Sequence, residues 1–299
     1  MHWKERDMRI LAAMLGGTIS SRDESGTIKL GEPSFVKDFL LEYISENEYF
    51  FPEFKTYSSE NAKAEDYRGA LRGIVNEVKA SNYDGILITH GTDTCAFFAQ
   101  LAYRVLAPLG LPFVITGSVK SPDVDPEEAA YNLIFAVNCL EKGNSGIAFR
   151  NADRIPKLYS AFCVTSPDID GIYREYKESV EPEIKDRTDF LDREKLPKIL
   201  IIPAVPGAVI PKDGFDRVLI CCNHSGTAAS DLEPLVKDWT SKGIQCFMAP
   251  IPKDSGVYES RKRLRDAGAV ELPGMPVFFT FLHRSVILKA TSLLFSMYL

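Results

Sequence analysis

Short apolar runs that end in glycine and then give way to helical periodicity constrain the fold of this sequence most. Met8 to Leu15 is one such run and ends in Gly16-Gly17-Thr18. Gly85 to Thr89 is a second, and it ends in His90-Gly91-Thr92-Asp93-Thr94 before an apolar helix face over Cys95 to Leu106. Strands that alternate with helices pair in parallel. The pattern therefore predicts an α/β fold with a mostly parallel sheet flanked by helices.

The same pattern recurs along the chain and is interrupted once. Phe113 to Thr116 and Ile147 to Phe149 predict two more strands, whereas Lys177 to Pro197 is rich in charge and lacks apolar periodicity. We predict a larger N-terminal catalytic domain over residues 1–185, a linker over 186–198 and a smaller α/β C-terminal domain over 199–299. The strands and helices predicted for the second domain are Ile199 to Ile202, Arg217 to Cys222, a helix over Leu232 to Lys242, Gln245 to Ala249, and a helix over Tyr258 to Ala267.

Composition narrows the class of protein and its partners. The 299 residues are 45% hydrophobic and 25% charged, as in soluble globular proteins, and the net charge of −6 argues against a nucleic-acid partner. The apolar run from Ile10 to Leu15 is too short for a signal peptide or a membrane span. The run from Ser285 to Leu299 is interrupted by Lys289 and predicts a packed helix rather than an anchor. We expect a cytoplasmic protein with no membrane contact.

Cysteine and histidine usage predicts neither disulfides nor a metal site. Most of the six cysteines lie in apolar runs, which favours buried, reduced thiols. The four histidines are too scattered for a zinc signature. We expect no metal and no cofactor.

The two polar strand ends are the candidate site. Ligands of open α/β sheets bind at the carboxyl ends of strands, so we expect Gly16-Gly17-Thr18 and Gly91-Thr92-Asp93 to face one crevice. Free backbone N–H groups at such a turn can stabilise an oxyanion. Two alternatives remain open: Thr92, Asp93 and Thr94 could only cap a helix, and the first turn could be only a turn.

A threonine hydroxyl needs a neighbouring base before it can act as a nucleophile. His90 is one candidate, although it could equally be a packed neutral histidine. Lys157 is another, since a buried lysine can serve as a base, although a surface lysine is the usual case.

Several of these residues carry a family resemblance. Met14-Leu15-Gly16-Gly17-Thr18-Ile19 resembles the TGGTI signature of the bacterial-type L-asparaginase family, and His90 to Thr94 resembles its HGTDT signature. The resemblance continues in order over nearly the whole chain. The further matching segments are Ile115 to Ser118 with Asn132-Leu133, Arg150 to Lys157 with Ser166-Pro167, and Leu219 to Gly226 with Lys242-Gly243.

The resemblance implies hydrolysis of the side-chain amide of asparagine or a related amide to an acid and ammonia. Thr18 would be the nucleophile that forms an acyl-enzyme, and Thr92, Asp93 and Lys157 would handle protons. The substrate would be a small amino-acid amide. The resemblance also implies a homodimer or homotetramer, in which a residue among Asn223, His224 and Ser225 could contact substrate across an interface or could simply finish a strand.

A second segment, Tyr57-Ser58-Ser59-Glu60-Asn61, resembles the substrate-binding turn of that family. Ser59 would bind the substrate α-carboxylate, and Glu60 would lie against its α-ammonium group. Gly17, Gly91 and Ser118 are the remaining substrate-binding candidates. The alternative for the segment is a loop that leads into a helix.

Three departures from the family pattern leave the substrate open. Leu15 replaces the first threonine of TGGTI. The mobile segment that the resemblance implies over Ser20 to Leu30 contains no tyrosine, and Thr27 stands where the family carries one. Glu60 replaces a neutral side chain, and its carboxylate near Asp93 would favour a cationic group.

Three functions are consistent with these residues. The first is a free-standing asparaginase or related amidase. The second is the amide-donor component of a tRNA-dependent amidotransferase, which normally carries an extra N-terminal domain. The third is a catalytically weak homologue that binds an amino acid as a sensor.

Overall fold

The computed structural model describes residues 7–151, 154–165, 167, 171–175, 191–192, 197–203, 207–252 and 257–273. They form two compact units. One contains the described residues up to 175 together with 191–192, and the other contains 197–273. Most of the predicted linker over 186–198 and the helix predicted for Ser285 to Leu299 lie outside the described residues.

The first unit is built on a six-stranded sheet with the order β4-β1-β5-β6-β7-β8. All neighbouring strands pair in parallel except β7 and β8, which are antiparallel. The elements of this unit are β1 (Arg9–Met14), β2 (Ser21–Glu24), β3 (Thr27–Leu30), α1 (Ser34–Tyr43), β4 (Glu48–Phe50), α2 (Ala64–Ala80), β5 (Gly85–Thr89), α3 (Cys95–Leu106), β6 (Phe113–Thr116), α4 (Pro126–Glu141), β7 (Gly146–Arg150), β8 (Pro156–Tyr159), β9 (Val164–Thr165) and β10 (Arg174–Glu175).

The sheet register brings the two polar strand ends together. β5 has the sequence GILIT and is buried along its whole length, as expected for a parallel strand with helices on both faces. It pairs with β1 from Ile10↔Gly85 to Met14↔Thr89. Both strands therefore end at the same edge of the sheet, which confirms the predicted α/β class.

Several elements of the first unit were not predicted, and two of them carry residues discussed for the site. Lys157 lies on a strand, β8, whereas the sequence indicated only a polar segment after β7. The segment Ser20 to Leu30 contains the antiparallel hairpin β2–β3. Its turn residues Ser25 and Gly26 have φ values of 56° and 83°, as a two-residue type I′ hairpin turn requires.

The second unit is a four-stranded parallel sheet with the order β11-β12-β13-β14. Trp239 on α5 is completely buried in its core. The elements are β11 (Ile199–Ile202), β12 (Arg217–Cys221), α5 (Glu233–Ser241), β13 (Gln245–Ile251), α6 (Glu259–Asp266) and β14 (Val270–Pro273). The sequence predicted all of these elements except β14, to within two residues.

All six cysteines are buried, as predicted, and none of them is paired in a disulfide. Among the described residues, no helix combines the length and the apolar character that crossing a membrane would require.

Candidate active site

Two glycine turns lie in direct contact at the ends of β1 and β5. The Leu15 N–H donates to the Thr89 carbonyl at 3.1 Å, which keeps the two chains together beyond the strands. Gly17 then turns with φ of +84°, and a Cβ atom there would lie 2.3 Å from the Gly91 nitrogen. Only glycine tolerates both this backbone conformation and this separation. The turns that carry Thr18 and Thr92 are thus packed against each other.

The turn that carries Ser59 joins the same corner. The Tyr57 N–H donates to the Leu15 carbonyl at 3.0 Å. A Cβ atom on Gly91 would lie 2.3 Å from the Ser59 hydroxyl oxygen, so this serine lies directly on the glycine. The structure therefore brings together Gly17, Gly91 and Ser59, three of the predicted substrate-binding residues. Ser59 is buried, yet its hydroxyl has no hydrogen bond to a described residue.

A hydrogen-bond chain holds the Ser59 turn in place. The Thr94 hydroxyl donates to the Ser59 carbonyl at 2.9 Å and accepts from the Tyr67 hydroxyl at 2.5 Å. Burial raises the pKa of Tyr67 to about 12, so it remains a donor at neutral pH. Thr94 is the N-cap residue of α3, but its side chain makes no capping bond. The capping alternative is therefore wrong for Thr94, whose hydroxyl connects two loops.

The two candidate threonine hydroxyls are available to a ligand. Thr18 opens a 3₁₀ turn over Thr18–Ser20 and is partly exposed, as is Thr92. Neither hydroxyl bonds to any residue that the structure describes. Asp93 is exposed and, within the described ranges, forms no ion pair. A pocket of about 220 Å³ opens beside Thr92 and Asp93. Its other lining residues are Val119, Phe149, Pro167 and Gly171.

Lys157 lies on β8 with a partner that the sequence did not indicate. Its Nζ atom is 3.3 Å from Glu175 Oε2 and 4.6 Å from the centre of the Tyr159 ring. Its side chain is 50% exposed, and among described residues it has no hydrogen bond to Thr92. The Glu175 carboxylate and the Tyr159 ring therefore hold the ammonium group of Lys157 next to β8.

Two residues that contact the candidate catalytic residues Thr92 and Lys157 were not predicted from the sequence. The Tyr173 hydroxyl donates to the Thr92 carbonyl at 3.1 Å, and Glu175 pairs with Lys157. Both follow the family-like segments in the sequence, just before the charged stretch that we assigned to a linker. Nothing in their local pattern pointed to a site.

The remaining predicted binding residues differ in their surroundings. Ser118 follows β6 and is completely buried, and its hydroxyl donates to the Lys120 carbonyl at 2.6 Å. While it makes this bond, the hydroxyl can only accept a hydrogen bond from a substrate. Glu60 is exposed and accepts from the Asn61 amide at 3.2 Å.

In the second unit, Asn223 and Ser225 belong to a local turn. The Asn223 amide donates to the Thr227 carbonyl at 3.2 Å, and the Ser225 hydroxyl lies 3.1 Å from that of Thr227. With the exposed His224, they border a pocket of about 740 Å³ beyond β11 and β12.

His90 is a packed neutral histidine. Its imidazole stacks on Phe98 with a centroid distance of 4.7 Å and meets Tyr57 and Tyr67 at its edges. The Nδ1–H group donates to the Gly91 carbonyl at 2.9 Å. Burial lowers the pKa of His90 to about 4, although the bond to Gly91 opposes this shift. The ring therefore supports the backbone of the Gly91 turn.

Acid is expected to destabilise the protein through His90. The folded-state pKa of about 4 lies below the ordinary 6.5, so the unfolded chain binds more protons between these values. The free energy of unfolding should then fall by about 2 kcal/mol between pH 7 and pH 5 from this group alone. Urea unfolding of the wild type and of His90→Gln, which cannot titrate, would measure it. An equal loss in both proteins would contradict the assignment.

Comparison with known proteins places the chain among relatives of two kinds. Residues 9–165 match the family model described as Asparaginase, N-terminal. One of the subunits of glutamyl-tRNA(Gln) amidotransferase from Thermoplasma volcanium is 27% identical over 307 residues, which cover 91% of this chain and 73% of the relative. The protein of the same name from Pyrococcus abyssi is 22% identical over 311 residues, with coverage of 87% and 67%.

Solved structures with a similar fold include L-asparaginases. The thermostable L-asparaginase from Thermococcus kodakarensis aligns with a TM-score of 0.64 and 20% identity, over 90% of this chain and 88% of that one. A probable cytoplasmic L-asparaginase from Campylobacter jejuni aligns with a TM-score of 0.63 and 19% identity, over 86% and 88%. At 20% and 19% identity, this structural similarity establishes the fold alone.

Proposed function

Because this chain belongs to the asparaginase family, we propose that it hydrolyses the side-chain amide of asparagine or a related amino-acid amide. The products are the corresponding acid and ammonia. Thr18 acts as the nucleophile, and Thr92, Asp93 and Lys157 handle protons. A small-molecule substrate and a homodimer or homotetramer complete the proposal.

The contact between three turns at one sheet edge is the observation that carries this proposal. The turns contribute the Thr18, Thr92 and Ser59 hydroxyls, and none of the three is bonded to a described residue. The close approach of Gly17, Gly91 and Ser59 supports fixed relative positions for these hydroxyls. Groups held in this way lower the entropic part of a reaction barrier.

The reaction proceeds in two steps. Thr18 Oγ1 forms a bond to the amide carbon, and its proton passes to the proton-handling residues. The carbon–nitrogen bond then breaks, and the nitrogen takes up a proton and leaves as ammonia, so that an ester with Thr18 remains. Water adds to that ester, the bond between the acyl carbon and Thr18 Oγ1 breaks, the acid leaves, and a proton from the water passes to Thr18 Oγ1. Backbone N–H groups of the Gly91 turn stabilise the oxyanion in both steps.

Substrate choice depends on the charges around the turns. Asp93 and Glu60 are two exposed carboxylates on turns that meet at Gly91 and Ser59. Together they favour a substrate with an α-ammonium group over one without it. A second acidic group on the substrate would be repelled, which favours neutral side-chain amides.

A second candidate is the amide-donor component of an amidotransferase. The relatives that cover most of this chain are named as subunits of an enzyme acting on glutamyl-tRNA(Gln). Their names favour a protein that works within a complex. This candidate requires the same turns and the same nucleophile, so it differs in partner and in the fate of the ammonia.

Ammonia release by the purified protein tests both candidates. The panel is L-asparagine, D-asparagine, L-glutamine and N-substituted asparagines, with the Thr18→Ala protein as the control for host enzymes. Turnover by the wild type alone supports the free-standing amidase. Turnover of none of them, with release only when partner subunits and glutamyl-tRNA(Gln) are added, would replace it by the second candidate.

A further inference from the structure

The short segment over residues 171–175 contacts two members of the proposed proton-handling set. The Tyr173 hydroxyl donates a hydrogen bond to the Thr92 carbonyl at 3.1 Å. Glu175 places Oε2 at 3.3 Å from Lys157 Nζ. Side chains two residues apart lie on the same side of an extended chain, so one segment can reach both groups.

Tyr173 is held rigidly. It is completely buried, and its ring packs edge-on against Phe149, with 5.2 Å between centroids, and at a tilt against Tyr159, with 5.8 Å between centroids. Its N–H donates to Asn151 Oδ1 at 3.1 Å, and the Asn151 amide donates in turn to the Tyr159 hydroxyl. Burial holds the pKa of Tyr173 well above its usual range, so the hydroxyl keeps its proton.

One carboxylate oxygen of Glu175 is anchored by a backbone N–H, and the other pairs with Lys157. Oε1 accepts from the Ser160 N–H at 2.6 Å, while Oε2 faces Lys157. The Tyr159 ring lies beneath the same ammonium. The two side chains are 50% and 30% exposed, and exposed pairs contribute little to folding stability. The fixed carboxylate therefore restricts where Lys157 lies more than it stabilises the fold.

We propose that residues 171–175 form the positioning element of this site, in which Tyr173 fixes Thr92 and Glu175 fixes Lys157. Neither side chain has to contact substrate. The resemblance placed Asp93 in the same proton-handling set as Lys157, and Asp93 is exposed and forms no ion pair with a described residue. This inference rests on the proposed function, because it names what aligns the groups of that reaction.

Two conservative variants separate the two contacts. Tyr173→Phe removes only the hydroxyl, which holds the Thr92 carbonyl and also contacts the Cys95 thiol. Glu175→Gln removes the charge but keeps an oxygen for the Ser160 N–H. Tyr83→Phe is the control for the first, since that buried tyrosine has its hydroxyl 3.5 Å from Glu77 Oε2. The control for the second is Glu48→Gln, whose carboxylate lies 3.2 Å from Arg9 Nε at the other edge of the sheet.

We expect each site variant to lower kcat about tenfold while KM changes less than about twofold, because alignment is lost and substrate binding is not. In the double variant the loss should be smaller than the product of the single losses, since both residues serve one proton-handling unit. Both controls should match the wild type. A rise in KM at constant kcat, or unchanged kcat in both site variants, would overturn the proposal.

Two measurements that need no turnover distinguish a failure of the positioning proposal from a failure of the proposed amidase function. Hydrogen exchange of the backbone amides in residues 90–95 should accelerate about tenfold in Tyr173→Phe and not in Tyr83→Phe. Acetylation of Lys157 by acetic anhydride should accelerate in Glu175→Gln and not in Glu48→Gln. If the wild type hydrolyses no amide, the proposed function fails, while these two rates still decide whether the segment restrains Thr92 and Lys157. Unchanged rates would refute that restraint.

Discussion

Replacement of Thr18 by alanine is expected to lower kcat for amide hydrolysis by about four to six orders of magnitude, the scale seen when an enzyme loses its nucleophile. The reason is chemical, because no ester can form without the hydroxyl. Thr18 is partly exposed and its hydroxyl has no partner among the described residues, so the substitution breaks no hydrogen bond of the fold. The measurement is kcat on the best amide of the panel, together with the unfolding midpoint.

Thr18→Ser is the matched variant, since it keeps the hydroxyl and loses one methyl group. It should retain measurable turnover, and an acyl-enzyme trapped by acid quench should map to this position by peptide mass. Wild-type rates in the Thr18→Ala protein, prepared from a host without asparaginases, would show that another residue attacks the amide. An ester found on Thr92 would exchange the roles of the two threonines.

Four of the six strands of the first sheet, and the meeting of its two polar strand ends, were predictable from sequence for a physical reason. β5 is buried along its whole length, so its apolar run is continuous and its end is marked by the first polar residues. The turns at Gly17 and Gly91 could also be predicted, because both glycines follow apolar strands. Their structural reason is that the two strand ends approach too closely for any side chain.

The supporting contacts of the site could not be predicted, because they join segments that are distant in the chain. Thr94 gave the pattern of a helix cap, yet its hydroxyl bonds to the Ser59 carbonyl. Tyr173 reaches the Thr92 carbonyl across 81 positions of sequence. Such contacts depend on how loops fold over the sheet edge, and local periodicity carries no information about that.

The structure of the segment that lacks the family's tyrosine also could not be predicted from local sequence pattern. The segment over Ser20 to Leu30 forms a hairpin whose Asp23 N–H donates to the Asp123 carboxylate at 2.8 Å. The nearby Ser121 hydroxyl, followed by this Asp23 N–H, holds the pKa of the Asp123 carboxyl below its usual range. The hairpin next to Thr18 is thus tied to the loop after β6. The sequence showed only that the residues there were polar.

Gly17→Ala should prevent the first unit from folding, and it has a matched control in the same chain. Gly17 and Gly26 have nearly equal φ values of +84° and +83°. An added Cβ would lie 2.3 Å from the Gly91 nitrogen at the first position but would meet nothing within 4 Å at the second. Both substitutions place a side chain at positive φ, but Gly17 also has a ψ of −177°, a conformation that is essentially restricted to glycine. Only Gly17→Ala adds a collision with backbone atoms.

We expect Gly26→Ala to cost about 1–2 kcal/mol, the strain of an L-residue in this conformation. Gly17→Ala should cost more than about 4 kcal/mol, because neither the strand end nor the Gly91 turn can move without breaking its hydrogen bonds. In a Trp3→Phe background, Trp239 is the single tryptophan and reports the second unit. In Gly17→Ala, circular dichroism and amide exchange should show the first unit unfolded, and Trp239 fluorescence follows the second unit separately. Equal stability losses in the two variants would mean that the Gly17 and Gly91 turns are not in contact, and the proposed arrangement of Thr18 beside Thr92 would lose its basis.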